Sequence, residues 1–123
     1  MAKNRDEYWF ENLKKEYPEL LSAVHYATID KGWHNLVSAL CFKIYHHNLS
    51  LKDEERRASV VQIKEKFGGL RFYVYGGDDY IRGLIDLAEC VSHSICEGCS
   101  KPASSNSEGG WIRTLCQDCK NER

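Results

Sequence analysis

The sequence predicts an α+β chain with N-terminal helices, a central β-hairpin, one further helix and a C-terminal four-cysteine zinc ribbon. Apolar residues recur at helical spacing from Trp33 to Tyr45 and from Ile81 to Ile95, and they alternate with polar ones on both sides of Gly68-Gly69. Four of the six cysteines fall in two Cys-x2-Cys pairs near the C-terminus. A period of about 3.6 residues marks a helix and one of about 2 a half-buried strand. At 123 residues the chain suits one modest core. Residues 1–57 are expected to form a helical region, 58–95 a hairpin plus helix and 96–123 the ribbon, all within one compact domain.

From Arg5 to Tyr17 helix formers dominate, and Tyr8, Trp9, Asn12, Leu13 and Glu16 share one helical face. Pro18 stops that helix and suits the first turn of the next, which buries Leu20, Leu21 and Val24. Asp30, near Gly32, is placed to cap a third helix whose stripe is Trp33, Leu36, Val37, Leu40, Cys41, Ile44 and Tyr45. The charged run Lys52 to Arg57 has no apolar period and reads as an exposed connection. Val61, Ile63 and Phe67 then alternate with Gln62, Lys64 and Lys66, and Leu70 to Tyr75 alternate again after Gly68-Gly69. Glycine accepts the positive φ of a tight hairpin turn, so this dipeptide is the predicted turn. Gly76-Gly77 ends the second strand, and Asp78 caps a helix burying Ile81, Leu84, Ile85, Ala88, Val91 and Ile95. Lys101 to Gly110, rich in Ser and Gly, reads as a mobile loop, and Trp111 to Leu115 as a short strand whose tryptophan closes the ribbon onto the body.

Composition narrows the function classes. Hydrophobic residues are 42% and charged residues 28%, which argues against disorder. Seventeen Lys and Arg face eighteen Asp and Glu, so no whole-domain basic field draws nucleic acid. Met1 to Phe10 is charged, without a signal-type apolar core, and no stretch approaches the roughly 18 apolar residues of a membrane span. A cytoplasmic protein without a membrane partner is expected, and the absence of an apolar leader favours metal over a secreted disulfide framework.

Cys96-Glu97-Gly98-Cys99 and Cys116-Gln117-Asp118-Cys119 are separated by sixteen residues, within the zinc-ribbon range. A Cys-x2-Cys turn brings two sulfurs to one ion, and four thiolates complete a tetrahedral Zn2+ shell with no open position. Cys96, Cys99, Cys116 and Cys119 are therefore expected to hold a structural zinc worth on the order of 10 kcal/mol. Two disulfides or an iron–sulfur centre are the alternatives.

Other candidates have plainer explanations. Cys41 and Cys90 read as small buried thiols, and His93 as a solvated helix residue. His46-His47 with His25 and His34 make a poor second metal cluster, since adjacent helical side chains point about 100° apart. Asp78-Asp79 are accounted for by capping. No phosphate-cradling loop, His-Glu-x-x-His or Gly-x-Ser-x-Gly occurs, so no enzyme is expected. A hydrolase built on His25, His34, His46, His47 or His93 would need a carboxylate that the sequence does not single out.

If Val61, Ile63, Leu70, Phe72 and Val74 face the core, the other side of the hairpin presents Gln62, Lys64, Lys66, Arg71, Tyr73 and Tyr75. Tyr and Arg are frequent protein-contact residues. Cations interleaved with tyrosines also suit single-stranded nucleic acid, and a solvated sheet face needs neither partner. Lys64, Lys66, Arg71, Tyr73 and Tyr75 are the candidate partner-binding residues.

The runs Val61 to Tyr73 (VQIKEKFGGLRFY), Ile95 to Cys99 (ICEGC) and Gly110 to Cys116 (GWIRTLC) resemble a group of small phage and prophage proteins of uncharacterised function. The resemblance covers about the last half of the chain and implies a compact α+β body with a zinc knuckle. By analogy it implies a non-enzymatic accessory protein that binds and modulates a host protein, inhibition of a host enzyme or defence complex being one form. The alternative is a nucleic-acid-binding ribbon protein using the Lys, Arg and Tyr face.

Overall fold

The structure, a computed structural model, describes residues 8–122. Its elements run α1 (Trp9–Glu16), α2 (Pro18–Leu21), a 3-10 turn (Lys31–Trp33), α3 (His34–Ser50), a second 3-10 turn (Glu54–Arg56), β1 (Ser59–Lys66), β2 (Gly69–Tyr75), α4 (Asp79–Ser92), β3 (Ser104–Glu108), β4 (Trp111–Leu115) and α5 (Gln117–Asn121). The mixed α+β class agrees with the periodicities, and the strands form two separate antiparallel pairs, β1–β2 and β3–β4.

The predicted start of the first helix at Arg5 lies outside the described residues. Along α1, Leu13 and the following Tyr17 are buried with Trp9 half-buried in the same row, while Tyr8, Asn12 and Glu16 of the expected stripe are exposed. Trp9 stacks on His34 with ring centroids 3.9 Å apart and donates from Nε1 to Ser38 Oγ, tying α1 to α3. Pro18 occupies the first turn of α2 as predicted, since its missing N–H is no loss there. Asp30 caps the 3-10 turn by accepting the Lys31 amide, and α3 begins three residues later than that cap implied. From the α3 stripe, Trp33, Val37, Leu40, Cys41 and Ile44 are buried, with Leu36 and Tyr45 half-buried beside them. Cys41 is the inert thiol expected: burial, with Glu16 second, pushes it up to about 12. In the last turn of α3, buried Asn48 donates from Nδ2 to the Ala58 carbonyl and accepts the Ala58 amide at Oδ1, both at 2.9 Å. Its amide thus imitates a strand partner for the chain entering β1.

The hairpin register corrects the expected core list. Val60 pairs with Val74 and Gln62 with Tyr73, so Val61 is an extra residue in β1. Val60 is fully buried, whereas Val61, predicted to face the core, is 46% exposed. A bulge shifts the alternation by one and rotates the preceding residue inward. Ile63, Leu70 and Phe72 are buried as expected, and Val74 packs partly against them.

The turn is also displaced by one. Lys66 pairs with Gly69, leaving Phe67 and Gly68 as the two loop residues, at φ of 54° and 77°. Gly69 is a strand residue whose added Cβ would lie 2.5 Å from His93 Nε2, so its constraint is close approach.

Each edge of this sheet finds partners outside it. Thr28 bridges to β1 by accepting the Glu65 amide and donating to the Ile63 carbonyl. On the β2 side Ser92 Oγ accepts the Leu70 amide and Glu89 Oε2 the Phe72 amide, so α4 supplies acceptors to the open edge.

Three C-terminal expectations are overturned. Part of the predicted mobile loop is strand β3, in register with β4 from Ser104 opposite Leu115 to Glu108 opposite Trp111. Ser104, Ser105 and Ser107 are exposed, and a polar strand without apolar alternation cannot be distinguished from a loop by periodicity. Trp111 does not close the ribbon onto the body, being 70% exposed at the far end of β4; Thr114 and Leu115 fill the contact instead. Cys90, expected buried, is exposed because it lies on the outer side of α4, opposite the Ile81 and Ala88 face.

Candidate metal centre

Cys96 follows the end of α4 after Ile95, and Cys116 follows β4, so each cysteine pair is delivered by a core-anchored element. The four sulfurs of Cys96, Cys99, Cys116 and Cys119 all lie within 4.8 Å of one another and could bind a metal ion. Cys99 Sγ and Cys116 Sγ, from different pairs, are 3.5 Å apart. None of the four is in a disulfide.

Backbone donors pre-shape the cluster. The Gly98 amide points at Cys96 Sγ at 3.4 Å, and the Cys119 amide at Cys116 Sγ at 3.5 Å, which makes Cys116 the cap of α5. Burial works against ionisation of Cys96, yet donors from the backbone of Cys116, Gly98 and Cys99 bring it down to about 7. Cys119 is pushed up, chiefly because its thiol shares hydrogen bonds with Cys96 and Cys99. A cation would relieve that competition, because coordinated thiols lose their protons outright.

Three contacts lock the cluster to the body. Gly32 lies so close to the first cysteine turn that an added Cβ would be 2.1 Å from the Cys96 carbonyl oxygen. The Gly32 amide donates to the Glu97 carbonyl at 2.7 Å, and Ser100 Oγ donates to the Gly32 carbonyl at 2.7 Å. Next to it, Trp33 Nε1 donates to the Ile95 carbonyl at 2.9 Å.

Glu97 provides the second contact. Its side chain is buried at 2% exposure, and Oε2 accepts the Thr114 amide at 2.7 Å. Oε1 accepts from Arg113 Nε at 3.0 Å and from its Nη2 at 2.9 Å. A charge buried at this depth requires such full pairing. The residue between the first two cysteines therefore fastens that turn to β4.

The third contact is a relay. Thr114 Oγ1 donates to the Gly68 carbonyl at 2.6 Å, which leaves it to accept from Ser105 Oγ at 2.8 Å, and Ser105 in turn accepts from His93 Nδ1 at 3.0 Å. The hairpin turn, the ribbon and the end of α4 are thereby joined.

Nothing in the sequence singled out Glu97, Arg113, Thr114 or Gly32. The only available signals were an acidic residue inside a cysteine turn and a glycine just before a helical stripe.

The remaining candidates do not converge. His47 Nε2 meets Asp78 Oδ2 at 2.7 Å with Tyr80 stacked on the ring, while His46 lies against Phe42 and His34 against Trp9. Asp78 also caps α4 through the Ile81 amide, as predicted. Among the described residues the four cysteines are the one group of metal-ligating side chains, and no helix is long and apolar enough to cross a membrane.

The expected partner face is laid out by the hairpin register. Gln62, Lys64, Lys66, Arg71, Tyr73 and Tyr75 fall on the side opposite Ile63 and Phe72. Tyr75 is 78% exposed, and Tyr73 is exposed with Lys64 Nζ 5.7 Å from its ring centre.

The chain is thus a small α+β protein with a four-cysteine cluster able to take a metal ion. No protein family, no curated protein and no solved structure matches it.

Proposed function

We propose that this is a non-enzymatic zinc-stapled binding protein, phage or prophage encoded, that engages and modulates a host protein through the outer face of β1–β2. A tetrahedral thiolate site with metal–sulfur bonds of about 2.3 Å puts its sulfurs about 3.8 Å apart, a span the four cysteines can meet, and the two Cys-x2-Cys turns sixteen residues apart are the spacing of a zinc ribbon. Four thiolates leave no position for water or substrate, so the ion is a staple. The observation that carries the reading is the junction itself: Thr114 of the ribbon donates to Gly68 at the tip of the exposed hairpin. A staple at that point holds the hairpin face rigid for contact. The phage assignment and the host partner rest on the resemblance of the hairpin and cysteine motifs.

Reduced protein purified without chelator is expected to carry about one zinc per chain, and stripping it with a chelator should loosen the ribbon and lower the unfolding midpoint. Metal-free protein with an unchanged midpoint would remove the staple. For the partner, a photo-crosslinking residue at Tyr75 should capture a specific bacterial protein that the same residue at Leu87, exposed on α4, does not. Equal capture at both positions, or none at Tyr75, would remove the face.

The nucleic-acid reading keeps one supporting observation, three cations on a face with two tyrosines. Gel shifts with single-stranded RNA and DNA at low and high salt test it, since phosphate binding must weaken as salt rises.

A further inference from the structure

The outer face of β1–β2 differs in charge from the chain that carries it. The chain has a formal net charge of −1, but the β1 and β2 residues on this face include Lys64, Lys66 and Arg71 and no carboxylate. The hairpin's own acid, Glu65, pairs with Leu70 on the other side of the sheet, with Oε2 accepting the Gly68 amide at 2.8 Å.

At the end of this face stands Phe67. It is 63% exposed and has a φ of 54°, a left-handed conformation that a bulky side chain adopts only under strain, in a turn where Asn-Gly would sit at ease. Strain held at an exposed apolar tip does nothing for the core and points to use of that side chain elsewhere.

The cations also bear on the kind of partner. Lys64 Nζ lies 5.7 Å from the Tyr73 ring centre and Lys66 Nζ 5.5 Å from that of Phe67. Each ammonium takes up one face of its ring and leaves at most the other for a stacking nucleobase, whereas a carboxylate can reach the same ammonium without displacing it.

We infer that the hairpin face binds an acidic, extended protein segment, whose carboxylates pair with Lys64, Lys66 and Arg71 and whose apolar side chain receives Phe67. This rests on the reading of that face as the contact surface and adds the partner's chemistry and its anchor residue. The affinity comes from Phe67 leaving water against an apolar surface; the charges set orientation and rate.

The test uses zinc-loaded protein, a short synthetic peptide alternating Glu with Leu, its Lys-for-Glu counterpart and an oligo-dT strand. The acidic peptide should shift backbone amide resonances along Gln62 to Tyr75, with binding weakened by salt, and the basic counterpart should not. Phe67→Asn should raise the melting temperature, because the turn is relieved, while weakening the peptide at least about tenfold. Shifts confined to other elements, or none, overturn the inference. So does a Phe67→Asn variant with a lowered melting temperature, which would make Phe67 a packing residue, and so does tighter binding of oligo-dT to this face. Failure of the peptide while Tyr75 still crosslinks to a partner removes only the acidic chemistry; failure of both removes the contact face.

Discussion

Gly32 and Glu97 are joined by a hydrogen bond of 2.7 Å, from the amide that precedes Trp33 to the carbonyl inside the first cysteine turn. They are far apart in sequence, yet the approach is so close that Gly32 has no room for a side chain. The cysteine cluster is therefore seated on the body by backbone before any ion is considered.

Gly32→Ala should accordingly be severe. Its methyl would overlap the Cys96 and Glu97 carbonyl groups, which are rigid backbone, so the turn must move. A loss of about 3 kcal/mol is expected, together with weaker zinc retention against a competing chelator. Denaturant unfolding indistinguishable from the parent would contradict the contact.

Glu97→Gln removes the charge that Arg113 meets and replaces one acceptor of a fully paired carboxylate by a donor. Because Glu97 is buried and Arg113 partly open to water, a cost of about 2 kcal/mol is expected. In zinc-loaded protein, release of the metal should also speed up, since the first cysteine turn loses its tie to β4. The measurement is the unfolding midpoint with and without excess zinc, and a variant as stable as the parent in both would show that Glu97 is a bystander.

Val60→Ala and Val61→Ala separate the bulged register from a regular strand. Val60 is in the core and should cost about 2 kcal/mol, while Val61 should change stability by less than about 0.5 kcal/mol. The reverse order in equilibrium unfolding would mean that the alternation runs unbroken through β1.

Asp78 gives a pH prediction with a definite sign. The hydrogen bond from His47, and then the Ile81 amide, hold its carboxyl below the ordinary carboxylate range. A depressed native pKa contributes stability that is present above the unfolded value of about 3.9 and is lost as pH falls through the lower native value. Asp78→Asn keeps the helix cap but has no charge to lose. Parent and variant should therefore converge in stability as the pH drops below about 4, and a gap that stays constant there would rule the pairing out.

Much of the helical architecture was legible in advance. The α3 stripe from Trp33 to Ile44 and the Asp78 cap followed from spacing, because a helix buries one face whatever it packs against. The cysteine pairs were legible for the same reason, as two ligands per turn are set by local geometry. In α1 the period places Trp9 and Leu13 on the packed side but makes the stripe too wide, because Tyr8 and Asn12 satisfy a helical spacing as well as they do. In β1 one additional residue was enough to bury Val60 and turn Val61 outward while Gln62 and Ile63 keep their faces.

By itself, then, the sequence determined the types of α1 to α4, β1, β2 and β4, the α3 and α4 faces and the two cysteine turns, all properties of neighbours within a few positions. Only the tertiary structure decided that Val61 bulges outward, that Ser104–Glu108 pairs as a strand, that Trp111 stays in water and that Glu97, Arg113, Thr114 and Gly32 seat the cluster. Each of these depends on which groups arrive from distant parts of the chain to satisfy a buried amide, carbonyl or charge, and no local period records that.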